Sequence, residues 1–148
     1  MERFRRCFIV LSVVVLFVAG FSSGAALSAE YKTADDFVQA AKAEIKEVSV
    51  AEAHDMIAGG KSLVILDVRD PDEFKKGHIP AAINISRGVL EFKVAKEIPN
   101  RDAAILVYCK VGGRGALAAY TLKQMGYKNV LNMAGGWDKW LSAGYSVE

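Results

Sequence analysis

One cysteine in this chain stands where chemistry can happen. The apolar run Ala104-Ile105-Leu106-Val107-Tyr108 ends at Cys109, and Lys110-Val111-Gly112-Gly113-Arg114-Gly115 follows. A helical pattern then runs from Gly115 to Met125. A strand that stops at a cysteine just before a helix brings loop amides and a helix N-terminus to one point. Such a point carries partial positive charge, favours a thiolate over a thiol and can hold an anion beside it. The chemistry expected is nucleophilic attack by Cys109, with Lys110, Val111, Gly112, Gly113, Arg114 and Gly115 lining the substrate. A free cysteine at a strand end is often a small buried hydrophobe, and Lys110 and Arg114 can be read as solvated charge. Glycines and charges directly after Cys109 favour the nucleophile. An ammonium or a planar guanidinium there can dock an anion.

Cysteine usage sharpens this reading. The sequence holds two cysteines, Cys7 and Cys109. Cys7 lies in an apolar leader, so Cys109 is left without an internal disulfide partner. The absence of a C-x-x-C pair argues against dithiol cycling and against a cysteine-rich zinc site. His54 and His78 are the two histidines. His54 falls on the polar side of a helical pattern and His78 follows Gly77 at a turn. Neither sits in a metal-ligand spacing. Gly112-Gly113 and Gly135-Gly136 match neither a Walker A loop nor a dinucleotide fingerprint. Trp137 and Trp140, three apart on a helix, read as core or site rim. No metal and no cofactor are expected.

The first 29 residues read as a separate unit. Arg3, Arg5 and Arg6 precede the apolar run Cys7 to Phe21, and small residues fill Ser22 to Ala29. This is the three-part pattern of a secretory signal, with cleavage expected after Ala29. The apolar run is short for a spanning helix, which needs roughly 20 residues. The alternative is an uncleaved N-terminal membrane anchor. Removing residues 1–29 takes Lys plus Arg from 19 to 16 and Asp plus Glu from 17 to 16. The mature chain is then near neutral, which gives no footing for nucleic acid or an acidic membrane surface. A periplasmic or secreted location follows, with no stable membrane insertion after cleavage.

The remainder divides into a linker and helix at 30–46 and one domain at 47–148. Phe37, Ala41 and Ile45 recur at a spacing of four, which predicts an amphipathic helix over Ala34 to Lys46 with Thr33 as its cap. Glu47 to Val50 reads as a short strand. Ser49 with Glu52 three residues on is a capping box for a helix that stops at Gly59-Gly60. Ser62 to Val68 and Ala103 to Tyr108 are near-continuous apolar runs, the signature of strands buried on both faces. Between them, Asp70-Pro71-Asp72-Glu73 opens a short helix ended by Gly77, Ile79 to Ile85 ends in a small strand, and Val89 to Glu97 is helical. Asn129 to Asn132 is a further strand, and a last helix spans Trp137 to Ser142. The alternation of strands and helices predicts an α/β fold, a mostly parallel sheet of about five strands with helices on both faces.

At this level of detail the chain resembles a single-domain rhodanese, the thiosulfate sulfurtransferase type. The matching pieces are Asp67-Val68-Arg69, Glu73-Phe74, Gly77-His78-Ile79-Pro80-Ala81-Ala82-Ile83-Asn84, and Tyr108 through Arg114. Gly126-Tyr127, Asn132-Met133-Ala134-Gly135-Gly136-Trp137 and Trp140 complete the set. The leader gives it the look of an exported member. The resemblance implies a rhodanese-like sheet and a Cys109 that takes sulfur from a donor, becomes a persulfide and passes the sulfur on in ping-pong fashion. It implies that the loop from Cys109 to Arg114 cradles the persulfide. The substrates would be a small anionic donor such as thiosulfate and a thiol or cyanide acceptor. Asp67, Arg69 and Glu73 read as scaffold near the site, Arg69 and Glu73 being spaced to pair across the turn. One departure stands out: Gly115 replaces the Ser or Thr that commonly follows the arginine. It would leave the next helix with a glycine cap, at a cost of a few tenths of a kcal/mol relative to a hydroxyl residue. The expected consequence is an altered rate or donor preference.

Two rival readings remain. A cysteine phosphatase or arsenate reductase also uses a Cys–Arg loop, but with one residue more between the two and usually a histidine before the cysteine. Here Lys110 to Gly113 intervene and Tyr108 precedes. The other rival is a binding module or sulfur relay serving a dedicated, sulfur-accepting protein.

The leader yields a direct prediction. N-terminal sequencing of the protein from an exporting host should begin near Glu30. An intact Met1 in the membrane fraction would establish the anchor instead.

Overall fold

The computed structural model describes residues 32–60 and 62–148. The expected signal, Cys7 and the cut after Ala29 lie outside the described residues. The first element is helix α1, Ala34–Glu44, opened by a reciprocal box in which Thr33 Oγ1 accepts from the Asp36 amide and Asp36 accepts from the Thr33 amide. Its buried face differs from the expected one. Ala41 is buried as expected, but Phe37 is 55% exposed. Strand β1, Lys46–Val48, starts one residue earlier than read from sequence because Lys46 pairs in register with Leu131. Ser49 and Glu52 form the second capping box, at the start of α2, Val50–Ala58.

The rest alternates as the sequence predicts. Strand β2 is Leu63–Asp67, helix α3 is Pro71–Phe74 and β3 is Ile83–Asn84. A single 3-10 turn at Arg87–Val89 leads into α4, Leu90–Glu97. Then come β4 at Ala104–Tyr108, α5 at Gly113–Gln124, β5 at Asn129–Met133 and α6 at Gly136–Ser142. All five strands are parallel, in the order β1-β5-β4-β2-β3.

Strand β4 shows how the layers are made. Successive side chains of a strand point to opposite faces. Ile105 and Val107, with Cys109 beyond them, join Leu90, Val94, Ala118 and Leu122 in the core beneath α4 and α5. Leu106 and Tyr108 join Val50, Ala53, Trp137 and Trp140 in the core beneath α2 and α6. Apolar residues at every position are therefore what a central strand between two helical layers needs. Both tryptophans are core residues. Among the described residues no helix is long and apolar enough to cross a membrane.

One charged pair is sunk into this core. Asp67 is 0% and Arg69 2% exposed. Arg69 Nε and Nη2 donate to Asp67 Oδ2 at 2.9 and 2.6 Å, and the Arg69 amide donates to Oδ1 at 2.8 Å. The guanidinium also reaches the Gly77 carbonyl at 2.8 Å and lies 4.5 Å from the Trp137 ring centre. The Arg69–Glu73 pair expected from sequence does not form. Arg69 turns inward to the carboxylate at the end of its own strand, and Glu73 takes another partner.

Removing one member of a fully buried pair strands the other, at a cost of about 3–5 kcal/mol. Arg69→Leu should therefore lower unfolding stability by that order in a urea titration. A loss within about 0.5 kcal/mol, the range of ordinary surface substitutions, would show that Asp67 finds other compensation.

Candidate active site

The loops after β2 and β4 leave the sheet toward opposite edges, because β3 lies on one side of β2 and β5 on the far side of β4. In open α/β sheets the carboxyl ends of strands at such a reversal are where ligands bind. Cys109 follows β4 at this place, and Asp70 and Glu73 follow β2.

Cys109 is 1% exposed. The Gly112 amide donates to its Sγ at 3.1 Å. Gly112 adopts φ 104°, a left-handed conformation that glycine takes without strain, and its carbonyl accepts from the Ala116 amide at 2.9 Å. That bond closes the first turn of α5. The helix thus begins at Gly113, two residues earlier than expected, and Arg114 and Gly115 belong to its first turn rather than to the loop. The loop proper is Lys110 to Gly112. Lys110 and Val111 form its exposed outer edge. The first-turn amides of α5 lack intrahelical acceptors and add positive potential beside the sulfur.

A second helix holds the loop from the opposite side. The Trp137 amide donates to the Cys109 carbonyl at 2.8 Å, and the Asp138 amide to the Lys110 carbonyl at 3.0 Å. Gly136, at φ 57°, makes this approach possible: a β-carbon there would overlap both carbonyls. The glycine pair Gly135-Gly136 is therefore part of the site's construction, which sequence reasoning did not assign. Its signal was available, since two adjacent glycines opening a helix mark close backbone approach.

Arg114, expected to dock the donor, is engaged here by carboxylates. Its Nη1 and Nη2 donate to Glu73 Oε2 and Oε1 at 2.8 and 2.9 Å, and Nη1 lies 3.5 Å from Asp70 Oδ2. The planar fork is thus closed on a carboxylate, tying α3 to α5. Glu73 Oε2 also accepts from the Asp70 amide at 3.1 Å.

Gly115 is not a helix cap. It is the third residue of α5, and a β-carbon there would overlap Asn132 Oδ1. A side chain there would have to displace the Asn132 amide, a long-range contact that local sequence cannot show. Asn132, fully buried at the end of β5, is a second site residue that sequence reasoning missed.

Other candidates fall outside the site. Tyr108 points to the opposite face of the sheet, its hydroxyl accepts from the Ile79 amide at 3.2 Å, and burial pushes its pKa up. His54 is not on a polar face. Its ring stacks on Tyr145 with centres 4.0 Å apart. His78 stacks on Phe74 at 3.7 Å and exchanges backbone hydrogen bonds with Glu148. A cavity of 320 Å³ opens at the other end of the sheet, where Lys46, Ala104 and Asn129 begin their strands.

Residues 49–143 match the rhodanese-like domain family. YrkF of Bacillus subtilis, named as a candidate sulfur carrier protein, is 38% identical over 96 residues, which is 65% of this chain and 51% of YrkF. A mitochondrial protein of Schizosaccharomyces pombe, named as a candidate thiosulfate sulfurtransferase, is 38% identical over 93 residues, 55% of this chain and 66% of its own length. The matches therefore span about half to two thirds of these relatives. Among solved structures, a Rhodopseudomonas palustris protein described as of unknown function and a candidate tyrosine phosphatase is 34% identical with a TM-score of 0.73, covering 79% of this chain and 95% of that one.

The Glu73–Arg114 link makes a pH prediction. Hydrogen bonds from Arg114, more than any other cause, hold the Glu73 carboxyl below the usual glutamate range. A carboxyl depressed on folding stabilises the fold above its ordinary value, and that contribution is lost as pH falls through the depressed one. A carboxyl NMR titration should place Glu73 below an ordinary glutamate, and Arg114→Ala should return it upward. An unmoved midpoint in the variant would remove Arg114 as the cause.

Proposed function

The chain belongs to the rhodanese-like family, and on that premise we propose that it is a sulfurtransferase working through a persulfide on Cys109. One observation carries the reading: the Gly112 amide donates to Sγ of a buried cysteine at the N-terminal turn of α5. The names carried by its relatives, a sulfur carrier and a thiosulfate sulfurtransferase, support the same class of chemistry.

In the first half-reaction the Cys109 thiolate attacks the outer sulfur of a donor such as thiosulfate. A sulfur–sulfur bond forms to the cysteine, the bond to the sulfonate breaks, and its electron pair leaves with sulfite. The persulfide that results carries the same single negative charge as the thiolate. The Gly112 amide and the start of α5 therefore suit both states. In the second half-reaction a thiophile such as cyanide takes the outer sulfur, and the pair returns to Cys109 as thiolate. Cys109 is the free cysteine among the described residues. With no second thiol among the described residues to attack the persulfide, the acceptor in this reading comes from outside.

Arg114 acts in this reading as a strut. With Glu73 between its two terminal nitrogens, it fixes the first turn of α5 against the loop after β2. The same engagement disfavours a phosphatase, which needs its arginine facing the bound oxyanion. The sulfur-relay alternative draws on the carrier name of YrkF, and turnover separates the two. A free enzyme turns over cyanide steadily, whereas a relay is slow until its protein acceptor is added. The basic and apolar leader supports export of this chemistry, with an N-terminal membrane anchor as the alternative.

Intact mass spectrometry tests the central step. Thiosulfate should add the mass of one sulfur atom to the protein, cyanide should remove it, and Cys109→Ser should abolish both changes. A serine variant that still forms thiocyanate at a comparable rate would overturn the reading.

A further inference from the structure

Asn132 occupies a place in the core where folding alone gives no reason for an amide. It is 0% exposed and sits between Leu131 and Met133 on β5, in register with Val107 of β4 and Glu47 of β1. Its Nδ2 has two acceptors, Glu47 Oε1 at 2.7 Å and the Gly112 carbonyl at 3.3 Å. Both partners are oxygens, so they fix which end of the amide faces them. Its Oδ1 is buried without a hydrogen-bond partner and faces the α-carbon of Gly115. Buried side-chain polar atoms are mostly paired, and an unpaired one calls for a reason.

The reason lies in Gly112. That residue donates its N–H to Cys109 Sγ, and its carbonyl accepts from Asn132 Nδ2 and from the Ala116 amide. Asn132 therefore holds the residue that holds the sulfur. The chain of contacts continues outward. Glu47 Oε2 pairs with Lys42 Nζ of α1 at 3.3 Å, with both side chains partly exposed. Helix α1 also packs on this end of α5, since a β-carbon on Gly113 would lie 3.5 Å from Val38. Lys42 and Glu47 precede the span matched to the family, which begins at residue 49.

We infer that Asn132 is a positioning residue for the reacting sulfur. Glu47 orients it, so α1 and β1 are working parts of the active site. Without the Asn132 donor, the Gly112 carbonyl keeps one bond of two, and the residue whose N–H meets Sγ is held less firmly. Glycine at position 115 belongs to the same device, because a side chain there would displace the Asn132 amide.

The inference deepens the sulfur-transfer reading, and its test is built so that the two fail separately. The rate of Cys109 alkylation by iodoacetamide reports the sulfur itself and needs no donor. Single-turnover sulfur uptake from thiosulfate reports the proposed reaction. Asn132→Leu, apolar with the same branching and number of heavy atoms, should slow both by about tenfold or more in folded protein, a smaller effect than losing an oxyanion-hole donor outright. Uptake should lose its limiting rate rather than gain KM. Glu47→Met removes the acceptor at a partly exposed site and should slow both in the same direction. Glu47→Gln keeps an acceptor oxygen for Nδ2 and should restore rates close to those of the unaltered chain. A merely structural role would lower the melting temperature and leave the alkylation rate of folded protein unmoved. Alkylation within twofold of the unaltered chain in both Asn132→Leu and Glu47→Met overturns the inference, as does a Glu47→Gln variant as slow as Glu47→Met. If Asn132→Leu does not fold, the Glu47 pair decides alone. If the unaltered chain takes up no sulfur, the sulfur-transfer reading fails, and alkylation still judges Asn132.

Discussion

Two amides at the start of α6 set the terms for the rest of the site. By taking the carbonyls of Cys109 and Lys110, Trp137 and Asp138 fix two successive peptide planes. In a trans peptide the N–H points away from the carbonyl. The amides of Lys110 and Val111 are therefore turned away from α6, and the chain arrives at Gly112 aimed at the sulfur. The arrangement depends on Gly136 having no side chain and on β5 delivering α6 beside β4. Loop, helix and strand order answer to one short backbone contact.

Charge is handled in two ways around this contact. Asp67 and Arg69 satisfy each other inside the core, where a lone charge would be costly. Glu73 and Arg114 do so nearer the surface, spanning two elements far apart in sequence. The pairing is the reverse of what proximity along the chain suggests. Arg69 is four residues from Glu73 but bonds the residue two before it. A salt bridge is chosen by which side chains can reach after packing, and packing is not written in spacing.

The same distinction separates what was legible in the sequence from what was not. Capping boxes such as Thr33 with Asp36 and Ser49 with Glu52 use residues three apart, so each is set by its near neighbours. The buried strands at 63–67 and 104–108 declared themselves by unbroken apolar runs, and strand–helix alternation was enough for a parallel sheet. Cys109 stood out because glycine and charge followed an apolar run. The start of α5 was misplaced by two residues because the turn at Gly112 is stabilised from outside it. Asn132 and Gly115 each look ordinary alone. Their meaning is that one fills the space the other leaves, a fact that exists only in three dimensions.

The strict alternation of β4 has a consequence for how this sequence can change. Ile105, Val107 and Cys109 are odd steps and Leu106 and Tyr108 even ones, each set committed to its own helical layer. Loss or gain of one residue between Ala104 and Tyr108 would exchange the sets. The cysteine would turn into the tryptophan-lined layer, and after a gain a tyrosine would stand where the sulfur belongs. Parity along a five-residue strand is thus a digital constraint on the chemistry, one that admits no change of a single residue within it.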